Sequence, residues 1–305
     1  MITIKKILCP VDFFPASEVG VKYAAALALN YEAELYLLHV VATIVPTSFE
    51  VAIPPADITQ LVEEGSRREL KKLEAAVRDT GVQVHAELRS GDVFDEIKRT
   101  IEIEKPDLIV MGTHGRRGVE RWFMGSTTEK LLRHSPVPLV TIRESGEKFL
   151  DTRFQRILVT TDFSEGTLDA LNYAFSVAQE NESKVTLLHV LHDAGADSFG
   201  KYREAVVNGV RKQLDDLVPA EARNWCDIVS RVESGVPYRV ILQALDDEKI
   251  DLLVMNIHGK GMLDRALLGS TAERVVRAAS CPVMMIPPLK RKPKRRARPG
   301  RDQAA

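Results

Sequence analysis

Ile7-Leu8-Cys9-Pro10-Val11-Asp12-Phe13 returns 150 residues later as Ile157-Leu158-Val159-Thr160-Thr161-Asp162-Phe163, and Leu37-Leu38-His39-Val40 returns at the same offset as Leu187-Leu188-His189-Val190. Further along the offset falls to 144: Ser90-Gly91 matches Ser234-Gly235, Asp107-Leu108 matches Asp251-Leu252, and His114-Gly115 matches His258-Gly259. The second copy is six residues shorter, and the loss falls after the second apolar run, where a surface loop tolerates a change of length. A repeat this long has the size of a domain rather than of a solenoid unit, so the 305-residue chain reads as a duplication and fusion. The units are expected at 1–146 and 152–288, followed by a tail at 289–305.

Within the first copy, Ile7 to Val11, Glu34 to Val40, Gln83 to Leu88, Leu108 to Met111 and Leu139 to Ile142 are short apolar runs with little alternation, as strands buried on both faces should be. Between them Val19 to Asn30, Ile58 to Thr80, Val93 to Glu104 and Thr127 to His134 carry helical periodicity. The order β-α-β-α-β-α-β-α-β predicts an α/β fold: two tandem, doubly wound, Rossmann-like domains, each with a five-stranded parallel sheet covered by helices on both faces. Ligands in such folds sit beyond the carboxyl ends of the strands at a switch in strand order, which directs attention to the loops there.

The loop after the fourth strand reads Met111-Gly112-Thr113-His114-Gly115-Arg116-Arg117-Gly118, and Gly125-Ser126-Thr127-Thr128 stands at the head of the next helix. Glycines let a backbone take positive φ and let a phosphate reach main-chain N–H groups, and a helix N-terminus adds unpaired donors and a favourable dipole. Ser126 to Glu129 and Ser270 to Glu273 also fit a capping box, in which Ser and Glu satisfy their own helix end. Both readings stand on the residues alone. Asp12 and Asp162 are likewise open to a ligand role or to capping the helix that follows. His39 and His189 read as packed strand-end residues, because no second ligand recurs at metal-binding spacing.

With these motifs in place, both copies resemble universal stress protein domains over about residues 1 to 288, as a tandem member of that family. The pattern G-x2-G-x9-G-[S/T] of the family's ATP-binding branch is matched by Gly112, Gly115, Gly125 and Ser126. The resemblance implies a cleft over the strand ends that binds ATP with magnesium. Pro10, Val11 and Asp12 would meet adenine and ribose, and Val40 would offer backbone groups to the adenine edge. Met111, Gly112, His114 and Gly115 would line the ribose and α-phosphate, while Gly125, Ser126, Thr127 and Thr128 would hold the outer phosphates. In the second copy Asp162, Val190, His258, Gly259, Gly269, Ser270 and Thr271 follow, but Asn256 replaces the first glycine, and its side chain is expected to tolerate left-handed backbone yet crowd the ribose. The resemblance also implies that 138–142 and 282–286 pair across a pseudo-two-fold axis, as an intramolecular copy of the family dimer, and leaves a further homodimer open.

Several chemistries are excluded by what is missing: there is no G-x-x-x-x-G-K-[ST], no G-x-G-x-x-G after the first strand, no G-x-S-x-G and no H-E-x-x-H. Arg116, Arg117 and Arg121 supply cations, but no recurring base is placed to orient water, so at most slow ATP hydrolysis is expected. The leading expectation is an ATP-dependent regulator in stress response, with a slow ATPase as the alternative. A third reading is an adaptor. Eight Lys and Arg residues fall between 290 and 301 in a chain whose net charge is −1, so an acidic body carries a basic tail suited to nucleic acid, ribosome or anionic membrane. Three scattered cysteines without C-x-x-C spacing, no signal-like start and no apolar run of spanning length give the expectation of a cytoplasmic protein without disulfides or a transmembrane segment.

Overall fold

The computed structural model describes residues 2–42, 55–113, 125–145, 150, 152–164, 166–192, 200–257, 259 and 268–287. The first copy runs β1 (Lys6–Val11), α1 (Pro15–Asn30), β2 (Glu34–Ala42), α2 (Pro55–Arg78), β3 (Val84–Gly91), α3 (Val93–Glu104), β4 (Leu108–Thr113), α4 (Ser126–His134) and β5 (Leu139–Arg143). The second runs β6 (Arg156–Thr160), α5 (Thr167–Asn181), β7 (Lys184–His192), α6 (Arg203–Asp216), β8 (Asp227–Gly235), α7 (Pro237–Asp247), β9 (Leu252–Asn256), α8 (Ser270–Ala278) and β10 (Val283–Ile286). The first helix begins four residues before its apolar periodicity does, because Pro15 takes its first turn, where a missing N–H costs nothing.

The strands form one ten-stranded sheet in the order β3-β2-β1-β4-β5-β10-β9-β6-β7-β8. All pairings inside each copy are parallel. The junction of β5 with β10 is antiparallel, with Val140 opposite Met284, Thr141 opposite Val283 and Leu139 opposite Met285. Residues 140 and 284 are equivalent by the 144-residue offset, and the flanking pairs are reciprocal, which is the signature of a local two-fold axis. The edge that five parallel strands would expose in each copy is thereby covered by the other copy.

Two apolar layers enclose the sheet. One packs α1, α2, α5 and α6 through residues such as Leu27, Val77, Ala174 and Leu214, and the other packs α3, α4, α7 and α8 through Ile97, Leu131, Ile241 and Val275. Two of the repeated dipeptides secure this framework. Asp107 Oδ2 accepts from the backbone N–H groups of Lys5 and Lys6 at 2.8 and 3.0 Å, and Asp251 Oδ2 accepts from Gln155 and Arg156 at 3.0 and 2.8 Å, so each carboxylate anchors the first strand of its copy. Gly91 and Gly235 close β3 and β8 at φ of 151° and 143°, where a side chain would be strained.

Cys9, Cys226 and Cys281 are all buried and free of disulfides. Burial pushes the Cys9 thiol up to about 12, with Asp12 adding to the shift, and burial pushes Cys226 up to about 11. The nucleophilic thiolate is therefore nearly absent at neutral pH. In a thiol titration with Ellman's reagent at pH 7 the folded chain should release almost no chromophore, and three equivalents should appear on unfolding; a prompt native equivalent would show that one of these sites opens readily. Among the described residues no helix is long and apolar enough to cross a membrane.

Candidate functional site

Strand order reverses between β1 and β4 and again between β6 and β9, and the carboxyl ends at such reversals are where α/β folds place a ligand crevice. In the second copy this crevice is a cavity of about 440 Å³, whose lining includes Asp162, Val190, Asn256, Gly259, Gly269 and Ser270, with Thr271 beside them. These sequence-predicted residues come together; His258 lies outside the described residues. In the first copy Pro10 and Val11 end β1 with Asp12 directly after them, Val40 lies in β2, Met111 and Gly112 lie near the end of β4, and Gly125 to Thr128 open α4. His114, Gly115, Arg116, Arg117 and Arg121 fall outside the described residues, as does the tail.

The turn after the first strand shares its main bonds in the two copies. Asp12 Oδ1 accepts from Phe14 N at 3.1 Å and Asp162 Oδ1 from Ser164 N at 3.0 Å, so one oxygen of each carboxylate shapes its own turn. Phe13 and Phe163 follow at φ of 61° and 59°, a left-handed conformation that costs a non-glycine residue about 1–2 kcal/mol. The repeated histidines hold that conformation. His39 Nδ1–H donates to Val11 O at 2.7 Å and His189 Nδ1–H to Thr161 O at 2.8 Å, while the Phe13 and Phe163 rings pack on them at 4.4 and 4.8 Å between centroids. The Leu-Leu-His-Val repeat is thus a brace for the turn that carries the aspartate.

Gly259 explains itself by space. A Cβ there would lie 3.0 Å from Asp162 Oδ2, so its absence lets the β9–α8 loop meet the aspartate turn. Gly125 and Gly269 are the N-caps of α4 and α8, at φ of −58° and −59°, so neither is required by a left-handed backbone. Neither helix has a capping box: Ser126 and Ser270 are already the first helical residues, no side chain caps from the N-cap position, and Glu129 and Glu273 pair with Arg133 and Arg277 one turn on. The first intrahelical bonds are Glu129 N to Gly125 O and Glu273 N to Gly269 O, which leaves the three preceding amides of each helix outside the helical ladder. What results, among the described residues, is a helix end with unpaired amides and Ser and Thr hydroxyls beside it, the kind of arrangement that suits an anion.

Asn256 is accommodated by an exchange on the neighbouring helix. In the first copy the β4 residue Gly112 is pressed against α1, and a Cβ on it would lie 1.8 Å from Ala16 O. In the second copy Gly166 stands where Ala16 stands, and the Asn256 amide fills the space so gained. With the amide turned so that each atom faces a complementary partner, its nitrogen donates to Gly166 O at 2.9 Å and its oxygen accepts from Thr167 N at 3.1 Å. The side chain is thus engaged with the start of α5 while Asn256 remains part of the cavity lining, and it needs no left-handed backbone to do so.

A larger groove of about 670 Å³ lies between α1 and α2, but it includes none of the glycine-loop residues. In the second copy Phe175, at the position of Ala25, packs edge-on against Trp225 at 6.3 Å. The strand-end cavity, with its helix N-terminus, is the better candidate. Its lining also includes Thr160, Leu188, His192, Pro237 and Ile241, which motif reading did not single out. For Thr160 and His192 the available signal was the exchange between copies, since Pro10 and Ala42 occupy the equivalent positions.

A family model described as "Universal stress protein family" matches residues 3–143 and 153–287. A universal stress protein of Mycolicibacterium smegmatis is 27% identical over 292 residues, covering 92% of this chain and 97% of its own length. One from Methanocaldococcus jannaschii is 33% identical over 144 residues, covering 46% of this chain and 82% of its own. Among solved structures, a universal stress protein from Archaeoglobus fulgidus superposes with a TM-score of 0.72 at 22% identity, covering 93% of this chain and 98% of that one, a likeness of fold.

Proposed function

The chain belongs to the universal stress protein family, and from that premise we propose that it binds ATP at the strand-end cradle of each copy and acts as a nucleotide-dependent regulator in stress response. The observation that carries this reading is the pair of helix N-termini that, among the described residues, have no side-chain cap, behind a cavity of about 440 Å³ in the second copy. That volume falls within the roughly 300–1,000 Å³ usual for small-molecule sites. Gly125 and Gly269 leave room for a phosphate, the following amides and hydroxyls of Ser126, Thr127 and Thr128 or of Ser270 and Thr271 would receive it, and the apolar wall of Leu188, Val190 and Ile241 suits a base. Magnesium would accompany the outer phosphates, with the serine and threonine hydroxyls as its available protein oxygens.

Binding without rapid turnover is the expected behaviour. Among the described residues lining the cavity the carboxylate is that of Asp162, and its Oδ1 is committed to Ser164 N, away from a role as base at the phosphate end. Denaturing the purified chain and counting released nucleotide by mass spectrometry should give close to two ATP per chain, and titration of stripped protein with Mg-ATP should show the same stoichiometry. Gly125→Val does not strain a backbone at φ −58° but fills the phosphate approach, so it should leave folding intact and reduce the count to one. No released nucleotide together with no heat at saturating Mg-ATP would sink the reading.

A further inference from the structure

The two copies also differ at the ends of their first two strands, where Thr160 and His192 stand for Pro10 and Ala42. Ser270 and Thr271 at the N-terminus of α8 mark the anion end of the second cavity, and Leu188, Val190 and Ile241 mark the apolar end. Thr160 belongs to the apolar end: it closes β6, pairs in register with Leu188 of β7, and lies on the same face of the sheet as Leu158 by strand alternation. It is 8% exposed and lines the cavity. Among the described residues its hydroxyl has no hydrogen-bond partner, although the neighbouring Thr161 hydroxyl is fully engaged by Thr167 and by Phe163 N. His192, two residues beyond Val190, adds a second polar group at this rim. The first copy has Pro10 and Ala42 at these positions, neither of which offers a side-chain hydrogen bond.

We propose that Thr160 reads the edge of the nucleobase, so that the second cradle selects among nucleotides by a side-chain hydrogen bond that the first cradle cannot make. The inference rests on the nucleotide reading of this cavity. A hydroxyl that opens into the cavity without a protein partner is met by water while the cavity is empty, and a ligand that displaces that water without replacing its hydrogen bond is disfavoured, so a site built around such a group discriminates among ligands. With phosphates held at α8, the ring lies against Leu188, Val190 and Ile241, and the group within reach of β6 is the ring edge. The second copy thus becomes the selective site, and the first reads the base through shape and main-chain groups.

The test uses the full chain carrying Gly125→Val, so that only the second cradle is occupied, and measures calorimetric affinities for Mg-ATP, Mg-GTP and Mg-ITP, which differ only at the base. In this parent the affinities should differ. Thr160→Val should weaken the preferred nucleotide about 3- to 10-fold, as loss of one hydrogen bond implies, and should bring the three affinities closer together. Thr160→Ser should retain the parent's order. The corresponding 2′-deoxynucleotide should lose the same factor as its ribose form on Thr160→Val, because the sugar is not what Thr160 reads. Unchanged base ratios in Thr160→Val, or a loss confined to ribose nucleotides, would overturn the assignment while leaving nucleotide binding in place. A parent that binds none of the three would overturn the cradle reading as well. If Thr160→Val does not fold, collapse of the ratios in Thr160→Ala with order retained in Thr160→Ser serves the same purpose, and equal ratios in both refute it.

Discussion

Gly112→Asn, which copies into the first half the residue its counterpart already has, should destabilise the chain by roughly 3 kcal/mol or more, because overpacking at a rigid backbone contact is among the largest single-residue effects. A Cβ at this position would lie 1.8 Å from the Ala16 carbonyl oxygen and 2.9 Å from Ser17 N, so α1 and the end of β4 cannot both stay where they are. Ala16→Gly alone removes a methyl from the first helical turn and should cost no more than about 1 kcal/mol. Combined, the two changes recreate the Asn256–Gly166 arrangement and should recover part of the loss, with a coupling of about 1–3 kcal/mol. Recovery stays partial because Gly20, whose own Cβ would lie 2.7 Å from Gly112 N, keeps α1 closer to its strand than α5 is with Ala170. Urea unfolding of the four proteins measures the cycle; strict additivity would mean that the two positions are not a matched pair.

Charge at the junction of the copies should have an effect of comparable size. Val140 and Met284 face each other across the antiparallel pair and are 0% and 2% exposed. Val140→Asp or Met284→Asp buries a carboxylate with no cation opposite, which should cost on the order of 3–5 kcal/mol. The informative readout is remote. In a chain carrying Trp122→Phe, the fluorescence of Trp225 reports on the second copy alone, and Val140→Asp should still lower its urea midpoint, since β10 loses its partner. A Trp225 transition unmoved by Val140→Asp would show that the copies unfold independently.

The architecture was legible because the duplication let each weak local signal be read twice. The apolar runs at 7–11, 34–40 and 108–111 lie within observed strands, and the helix at Val93 to Glu104 has the observed bounds. Less was legible where function depends on contacts between distant segments. The motif glycines suggested backbone freedom, yet Gly112 serves a helix 96 positions earlier and Gly259 serves an aspartate 97 positions earlier, and no local pattern announces a missing Cβ. The capping-box pattern at Ser126 and Ser270 failed because Gly takes the cap and the glutamate goes to an arginine one turn on. The engagement of the Asn256 side chain with the start of α5 depends on Gly166, 90 positions earlier, which gives it room. Thr160 was passed over because a threonine at the end of a strand is unremarkable until its hydroxyl is seen to lack a partner.

The antiparallel seam between β5 and β10 has an evolutionary corollary. Two identical chains meeting at such a seam must carry every substitution twice, and their association weakens on dilution. Once the copies share one polypeptide, the seam forms at any concentration and each copy mutates alone. Exchanges such as Gly112 with Asn256, Ala16 with Gly166 and Pro10 with Thr160 are then permitted, each acceptable in one copy and untested in the other. Fusion lifts the demand for symmetry, so that two copies of one fold can drift apart within a single chain.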